Sequence, residues 1–425
     1  MRRTGLFLIL ACICLVLMVM PAFAGGGGQK TQSGKTSLLY WIPPFASGDT
    51  LDKEFWTKAL TPWRTQNNID VTVDIVPWDQ LIEKYMAGFS SGTGADVVYD
   101  GGAENIPLFV SMGVCEPLEQ YFSKEEQDNY IYWNSGNYQG KQYALPYVVG
   151  NARVFYFNMD LVRKAGVNTL PKTWNEFIDF GKKITAANLG PDVITFAQEW
   201  AASTWADSGI ITNFLGYYWQ AGGNMYSHDG SRITLSEGDA ALRTAQFLYD
   251  LMHVHGITSK ESYSIGDSEK HRLFLEGKIV CCVSATSFAQ QLDEAGINWD
   301  FVDTLMDKTG ATWVAGDSLF INSASKNKQA AAGLMKFVSS PQVMEPFHKE
   351  LASFPPITKR EAYTDNARFK NMYENSKYLR MDTGSTVHSP LVSNLFGNLQ
   401  LMMLGQISPR EAINRTVEYS KTLDL

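Results

Sequence analysis

Asn151 and Arg153 are planar polar groups of the kind that bond paired hydroxyls, and they stand inside the stretch YALPYVVGNARVFYFNMDLVRKAG, Tyr143 to Gly166. Pro146 cannot donate to a strand ladder and Gly150 weakens a strand interior, so the chain changes direction or partner between two β-like runs. Aromatic residues make up 12% of the chain, with 11 Trp and 19 Tyr. Flat apolar faces with a polar edge suit cores and ligand pockets alike. Other chemistries find less support. Carboxylates are numerous enough to assemble a glycosidase pair on paper, but spacing in sequence does not set the separation that mechanism needs. No His-Glu-x-x-His zinc motif occurs. His253 and His255 in HVHG are two apart, and such residues do not face each other on a helix. GGGGQKTQSGKT approaches a phosphate-binding loop, yet Gly28 stands six residues before Gly34 where the motif needs five, and no strand precedes it.

The chain that must position these groups has 425 residues, enough for two cores, since single cores stop growing at roughly 250–300 residues. A mean hydropathy of -0.16 excludes a multi-span membrane protein. At the N-terminus Arg2 and Arg3 precede GLFLILACICLVLMVM and PAFAG, an apolar run followed by Ala22 and Ala24 in the register that signal peptidase reads. Residues 1–24 are therefore expected to be a signal peptide cleaved after Ala24, with an uncleaved anchor as the alternative, since about 20 apolar residues span a bilayer. ILAC, ending at Cys12, comes too early in the run for a lipoprotein signal. Loss of Arg2 and Arg3 takes the basic count from 36 to 34 against 44 acids, so the net charge moves from -8 to -10 and suggests no nucleic-acid partner. Of five Cys, only Cys115, Cys281 and Cys282 remain after cleavage, which is no disulfide framework; Cys281 and Cys282 in KIVCCV read as small buried hydrophobes.

Residues 25–36 read as a flexible tether. SLLYWI, DVTVDIV and ADVVY then alternate as strands with helices over LDKEFWTKALTPWRTQNN and DQLIEKYMAGF, at the spacing of an α/β lobe. Thr173 with Glu176 predicts a capping box before NEFIDFGKKIT, and Ser236 and Gly256 are expected to start and stop a helix over the intervening run. NKQAAAGLMKFVSS, SPLVSNLFGNLQLMMLG and SPREAINRTVEYS predict three further helices.

The order of GKQYALPYVVGNARVFYFNMDLVRKAG, LPKTWNEF, FLEGKIVCCVSATSF, WVAGDSLFINSASKNKQAAAGLMKFVSSP and FPPITK resembles the extracellular solute-binding proteins of ABC importers, in the maltose-binding-protein-like, sugar-binding class. The resemblance covers Ser37 to Leu425. It implies an α/β, two-lobed periplasmic-binding-protein-like fold of class II type, whose lobes are joined by crossing hinge strands. Lobe 1 would comprise 37–150 and 317–352, and lobe 2, helix-rich, 151–316 and 353–425. The crossings would lie at Gly150 to Val154, Trp313 to Ser318 and Ser353 to Pro356. The implied function is capture of a small ligand, a carbohydrate, outside the cytoplasm and its delivery to membrane permease subunits. An exported carbohydrate-active enzyme and a sensory binding component are the alternatives. The implied ligand-binding residues are Trp41, Asp100, Asn151, Arg153, Trp200, Trp205, Phe288, Gly316 and Asp317. No catalytic residue, metal or cofactor is implied, and the protein is expected to be an exported monomer at the periplasmic or outer face of the cytoplasmic membrane. Three positions depart from the maltose-binding pattern. Asp100 stands where an aromatic is found, Ser287 and Phe288 replace a Trp-containing segment, and Gly316-Asp317 replaces two glycines. Asp100 and Asp317 together point to a ligand rich in hydroxyls or carrying a positive charge.

Overall fold

The computed structural model describes residues 35–46, 49–102, 105–204, 206–227, 230–382 and 384–424. The expected signal peptide and nearly all of the tether lie outside the described residues, as does Trp205. Residues from Thr36 onward form one compact unit built on two main sheets.

The first sheet uses β1 (Ser37–Ile42), β2 (Asp70–Ile75), β3 (Val97–Asp100), β4 (Leu145–Gly150) and β9 (Ala315–Ile321), in the order β2-β1-β3-β9-β4. β1 runs parallel to β2 and β3, whereas β9 is antiparallel to both β3 and β4. The ends of β1, β2, β3 and β4 therefore share one edge with the start of β9. Side chains alternate across the sheet. Tyr40, Val97, Tyr99, Val149 and Leu319 pack with α1 (Asp49–Asn67), α7 (Lys328–Val338) and α8 (Pro341–Glu350) through Trp56, Leu334 and Phe347. Trp41, Val98 and Phe320 turn the other way and pack with Tyr85 of α2 (Leu81–Ser91).

The second sheet uses β5 (Arg153–Asn158), β6 (Ile194–Ala197), β7 (Ile279–Ala285) and β8 (Trp299–Val302), in the order β8-β5-β7-β6. One face packs on α3 (Trp174–Ala186), α4 (Ala240–His253) and α10 (His388–Met403). The other packs on α5 (Asp267–Leu275), α6 (Phe288–Glu294) and α9 (Lys370–Asn375). Cys281 and Cys282 are buried on opposite faces of β7, and with Cys115 they are unpaired thiols.

Capping differs from expectation in detail. Thr173 Oγ1 accepts from Glu176 N at 3.1 Å, but the Glu176 carboxylate takes the Lys172 N–H instead of closing a box. Ser236 does not cap α4, which begins at Ala240 after Asp239; the polar run from Ser236 to Asp239 is spent on a turn through Gly238, φ 69°. The segment expected to open the second lobe at 353 carries Phe354 and Ile357, both buried in the first core. Among the described residues no helix is long and apolar enough to cross a membrane.

Candidate functional site

The two sheets meet edge to edge at the two-residue link between β4 and β5. Gly150 has φ 140° and Asn151 φ 49°, so consecutive residues occupy backbone regions that L side chains rarely adopt. A Cβ at Gly150 would lie 2.6 Å from the Pro355 ring, which seats the third crossing on the first. The Tyr373 hydroxyl receives the Ala152 N–H at 3.3 Å and bonds Thr286 Oγ1 at 2.7 Å. Asn151 Oδ1 accepts from Ser287 N at 3.1 Å.

On the first sheet's edge, Pro43 and Pro44 end β1 and deliver Phe45, whose N–H is held by buried Asp52 at 2.9 Å. After β2, Pro77 delivers Trp78, which donates from Nε1 to Pro44 O at 2.8 Å. Its ring stands edge-on to Phe45 at 5.7 Å and to Tyr99 at 5.9 Å, and the residue remains 47% exposed. Gly101 leaves room for it, since a Cβ there would sit 3.2 Å from the indole. Tyr99 donates its hydroxyl to Asp317 Oδ2, and a bulge between Asp317 and Ser318 re-aims β9 at this point. Burial pushes the Asp317 carboxyl up to about 7, against the opposing pull of Tyr99 and Arg153.

The second sheet's edge is built from charge. Arg153 donates to Asn151 O at 3.1 Å and Thr212 Oγ1 at 3.3 Å, with its guanidinium 5.1 Å above the Trp313 ring. Burial holds it below the usual arginine range, while Glu199, Asp267 and Asp317 pull the other way. Lys270 lies 3.2 Å from Glu199, both side chains 1% exposed, and 3.2 Å from Asp267. Burial alone would lower the Lys270 pKa; Glu199 and Asp267 outweigh it and leave it raised. His271, pushed down to about 4 by burial, is neutral at pH 7 and contacts Ser284 Oγ at 2.6 Å.

Of the residues expected to bind ligand, the structure gathers Asn151, Arg153, Gly316 and Asp317 at the crossing. Gly316 passes under Met381, whose sulfur would be 2.8 Å from a Cβ. Trp41 lies in the core instead, parallel to Tyr85 at 5.6 Å and 4% exposed. Trp200, 3% exposed, stacks on Phe396 at 5.8 Å in the second core. Phe288 turns inward onto His271, ring centroids 3.9 Å apart, while its neighbour Ser287 is exposed. Asp100 is fully buried and accepts from Asn105 Nδ2 at 3.1 Å. It lies on the Tyr85 and Cys115 side of the sheet, opposite Tyr99, so Asp100 and Asp317 point to different faces.

Phe45 and Trp78 were missed. Their signal was available: each follows a proline just past a parallel strand, and ligands of open α/β sheets lie outside the carboxyl ends of strands. Gly88-Phe89-Ser90-Ser91-Gly92, also passed over, spells a nucleophile elbow, but Ser90 sits inside α2 with its hydroxyl donating to Met86 O at 2.7 Å, not on a strand-to-helix turn. His253 is not a metal-facing residue, since Nε2 contacts Met403 O at 2.7 Å and the ring stacks on Tyr249.

Beside the crossing lies a cleft of about 1210 Å³, whose described lining includes Phe45 but not Trp78, Asn151, Arg153 or Asp317. Phe45, Lys349 and Ser353 line it from the first sheet's side, and Thr286, Ser287 and Gln290 from the second. Such a surface can cover the apolar face of a small molecule at Phe45 and bond its polar groups along the opposite wall.

The profile of the bacterial extracellular solute-binding protein family matches residues 43–345. A binding protein of Brucella abortus (strain 2308) is 28% identical over 356 residues, covering 80% of this chain and 82% of the relative. The diacetylchitobiose binding protein of Streptomyces coelicolor is 22% identical over 76% of each chain. In fold, the chain is similar to a maltose-bound protein of T. maritima, with a TM-score of 0.74, 20% identity and coverage of 92% and 100%.

Proposed function

Because this chain belongs to the bacterial extracellular solute-binding protein family, we propose that it captures a carbohydrate between the two sheet edges and delivers it to the membrane subunits of an ABC importer. The observation that carries this reading is a cleft with an aromatic ring, Phe45, on one wall and the exposed polar residues Ser287 and Gln290 on the other, next to the half-exposed Trp78 that stands edge-on to Phe45. An aromatic face covers the C–H patch of a sugar ring, and amides, hydroxyls and guanidinium groups bond its hydroxyls. Relatives named for arabinooligosaccharides and diacetylchitobiose support a carbohydrate as the ligand.

The working parts are lobe 1 over 37–150 and 317–352 and lobe 2 over 151–316 and 353–425, with 353–357 riding on the first core. Ligand contacts are assigned to Asn151, Arg153 and Asp317 at the crossing and to Phe45, Trp78 and Ser287 beside it. The ligand leaves as it arrived, without turnover. The exported chain begins at Gly25 and acts as a monomer.

The test is titration calorimetry and small-angle scattering with a panel of mono- and oligosaccharides. Saturable binding that makes the particle more compact, with the sugar recovered intact, supports the reading. Progressive conversion to product would replace it with an exported enzyme, and no binding by any sugar would overturn it.

A further inference from the structure

A second cavity, of about 520 Å³, shares no described lining residue with the cleft. That volume falls within the roughly 300–1,000 Å³ that houses a small organic ligand. Its walls come from both halves of the molecule. One wall is a short ladder on the first core, where Ile131 N donates to Ile357 O and Lys359 N to Asn129 O, each at 2.9 Å. The Tyr130 ring packs in that core, 5.9 Å from Trp133 and with its hydroxyl 2.7 Å from Ser339 Oγ. The other wall is the parallel pair Thr312–Trp313 and Leu379–Arg380, extended by Val314 N donating to Arg380 O at 2.9 Å. Val314 and Leu379 pack with the second sheet, and Val314 runs directly into β9, the second crossing. Met381, also in the lining, touches both cores.

The chemistry of this cavity differs from that of the cleft. Tyr132, Trp133, Leu379 and Met381 supply two rings and two adaptable apolar side chains, a lining suited to a flat aromatic group. Ser135 Oγ is buried there with no hydrogen-bond partner, a hydroxyl that a polar atom on a ligand would satisfy. At the rim Lys124 is paired with Asp128 at 2.8 Å, whereas the exposed Lys359 has no acidic partner among the described residues. An apolar slot edged by an uncompensated ammonium selects an aromatic ring that carries a negative charge.

We propose that this cavity is a second ligand site, which binds an aromatic carboxylate with its ring against Trp133 and Met381 and its carboxylate on Lys359, and that the bound ligand sets how far the two halves open. The walls belong to different halves, so bending at the crossings changes their separation. A ligand that touches both walls favours one separation over the others.

The test uses 4-hydroxycinnamate and indole-3-acetate, each beside the matching alcohol, on the mature protein without sugar, so that its failure is separate from a failure of carbohydrate capture. Calorimetry should show saturable binding of at least one acid, at least about fivefold tighter than its alcohol, the scale of one hydrogen bond to a charged group. Lys359→Ala should bring the acid down to the affinity of the alcohol. Asn134→Trp, at an exposed position of the lining, should fill the cavity and abolish binding of both, with the fold checked by circular dichroism. Spin labels on Lys349 and Gln290 should report a changed mean distance across the cleft when the acid saturates the otherwise wild-type protein, and no change in Asn134→Trp. Absence of binding by both acids, or binding that survives both substitutions, overturns the site. Binding that Asn134→Trp abolishes but that leaves the distance unchanged overturns its hold on opening.

Discussion

The two sheet edges beside the crossing solve the same problem with different materials. The first sheet offers rings, with Phe45, Trp78 and Tyr99 in mutual edge contact, Tyr147 edge-on to Tyr99, and one buried acid, Asp317, on the Tyr99 hydroxyl. The second offers ions, with Lys270 and Glu199 paired at 3.2 Å in the interior and the exposed Asp267 reaching Lys270 from outside at 3.2 Å, near Arg153. Rings hold their shape through area and tolerate loss at the exposed end. A buried ion pair tolerates loss of one partner poorly, because the charge left behind stays buried without compensation. The aromatic edge should therefore control affinity and the ionic edge should control integrity.

Lys270→Met attacks that division where the effect is largest. Leaving Glu199 buried without its ammonium should cost about 3–5 kcal/mol in denaturant unfolding, and adding Glu199→Leu should restore most of it. A wild-type unfolding midpoint in the single variant would dissolve the contrast. Asp317 is the exception on the aromatic edge, and pH isolates it. Its folded pKa of about 7 lies above the usual carboxylate value, so the folded state holds the proton more tightly. The stability this contributes is complete below about pH 4 and is lost as pH rises through 7, on the order of 4 kcal/mol. Asp317→Asn should gain on the wild type by that amount between pH 4 and 8, and a constant difference across the range would show an ordinary carboxyl.

Trp78→Ala tests affinity directly. It should weaken sugar binding by about 1–3 kcal/mol, the scale of a flat ring stacked on an aromatic side chain, while the melting temperature stays near that of the wild type. Unchanged calorimetric affinity would remove Trp78 from the site. Tyr373→Phe gives the smallest expected change. Losing the hydroxyl between Ala152 and Thr286 should cost about 1 kcal/mol of stability, and a loss several times larger would make the crossing itself the weak point.

Most of the architecture was legible because alternation, caps and the order of segments are local signals. The strand-to-strand link at Gly150 and Asn151 was readable for the same reason, since Pro146 and Gly150 interrupt a pattern. Side-chain direction at strand ends was not. One position decides which face a residue meets. Trp41 and Asp100 thus went to the α2 side, whereas Phe45 and Trp78, beyond their strands, reached the rim. Ser287 and Phe288 show the same limit at a helix start, where the polar residue faces the cleft and the ring fills the core. Trp200 was drawn to the site by its type, but its partner Phe396 is almost two hundred positions away, and nothing local announces that contact.

The seating of Pro355 on Gly150 also bears on how the protein moves. Two bodies joined by one strap can bend, twist and slide. When two straps touch, bending about the line through them survives and the other freedoms are curtailed. Motion across the cleft should then follow one opening coordinate, and spin labels on Lys349 and Gln290 should report a distance distribution broadened along opening and narrow in shear.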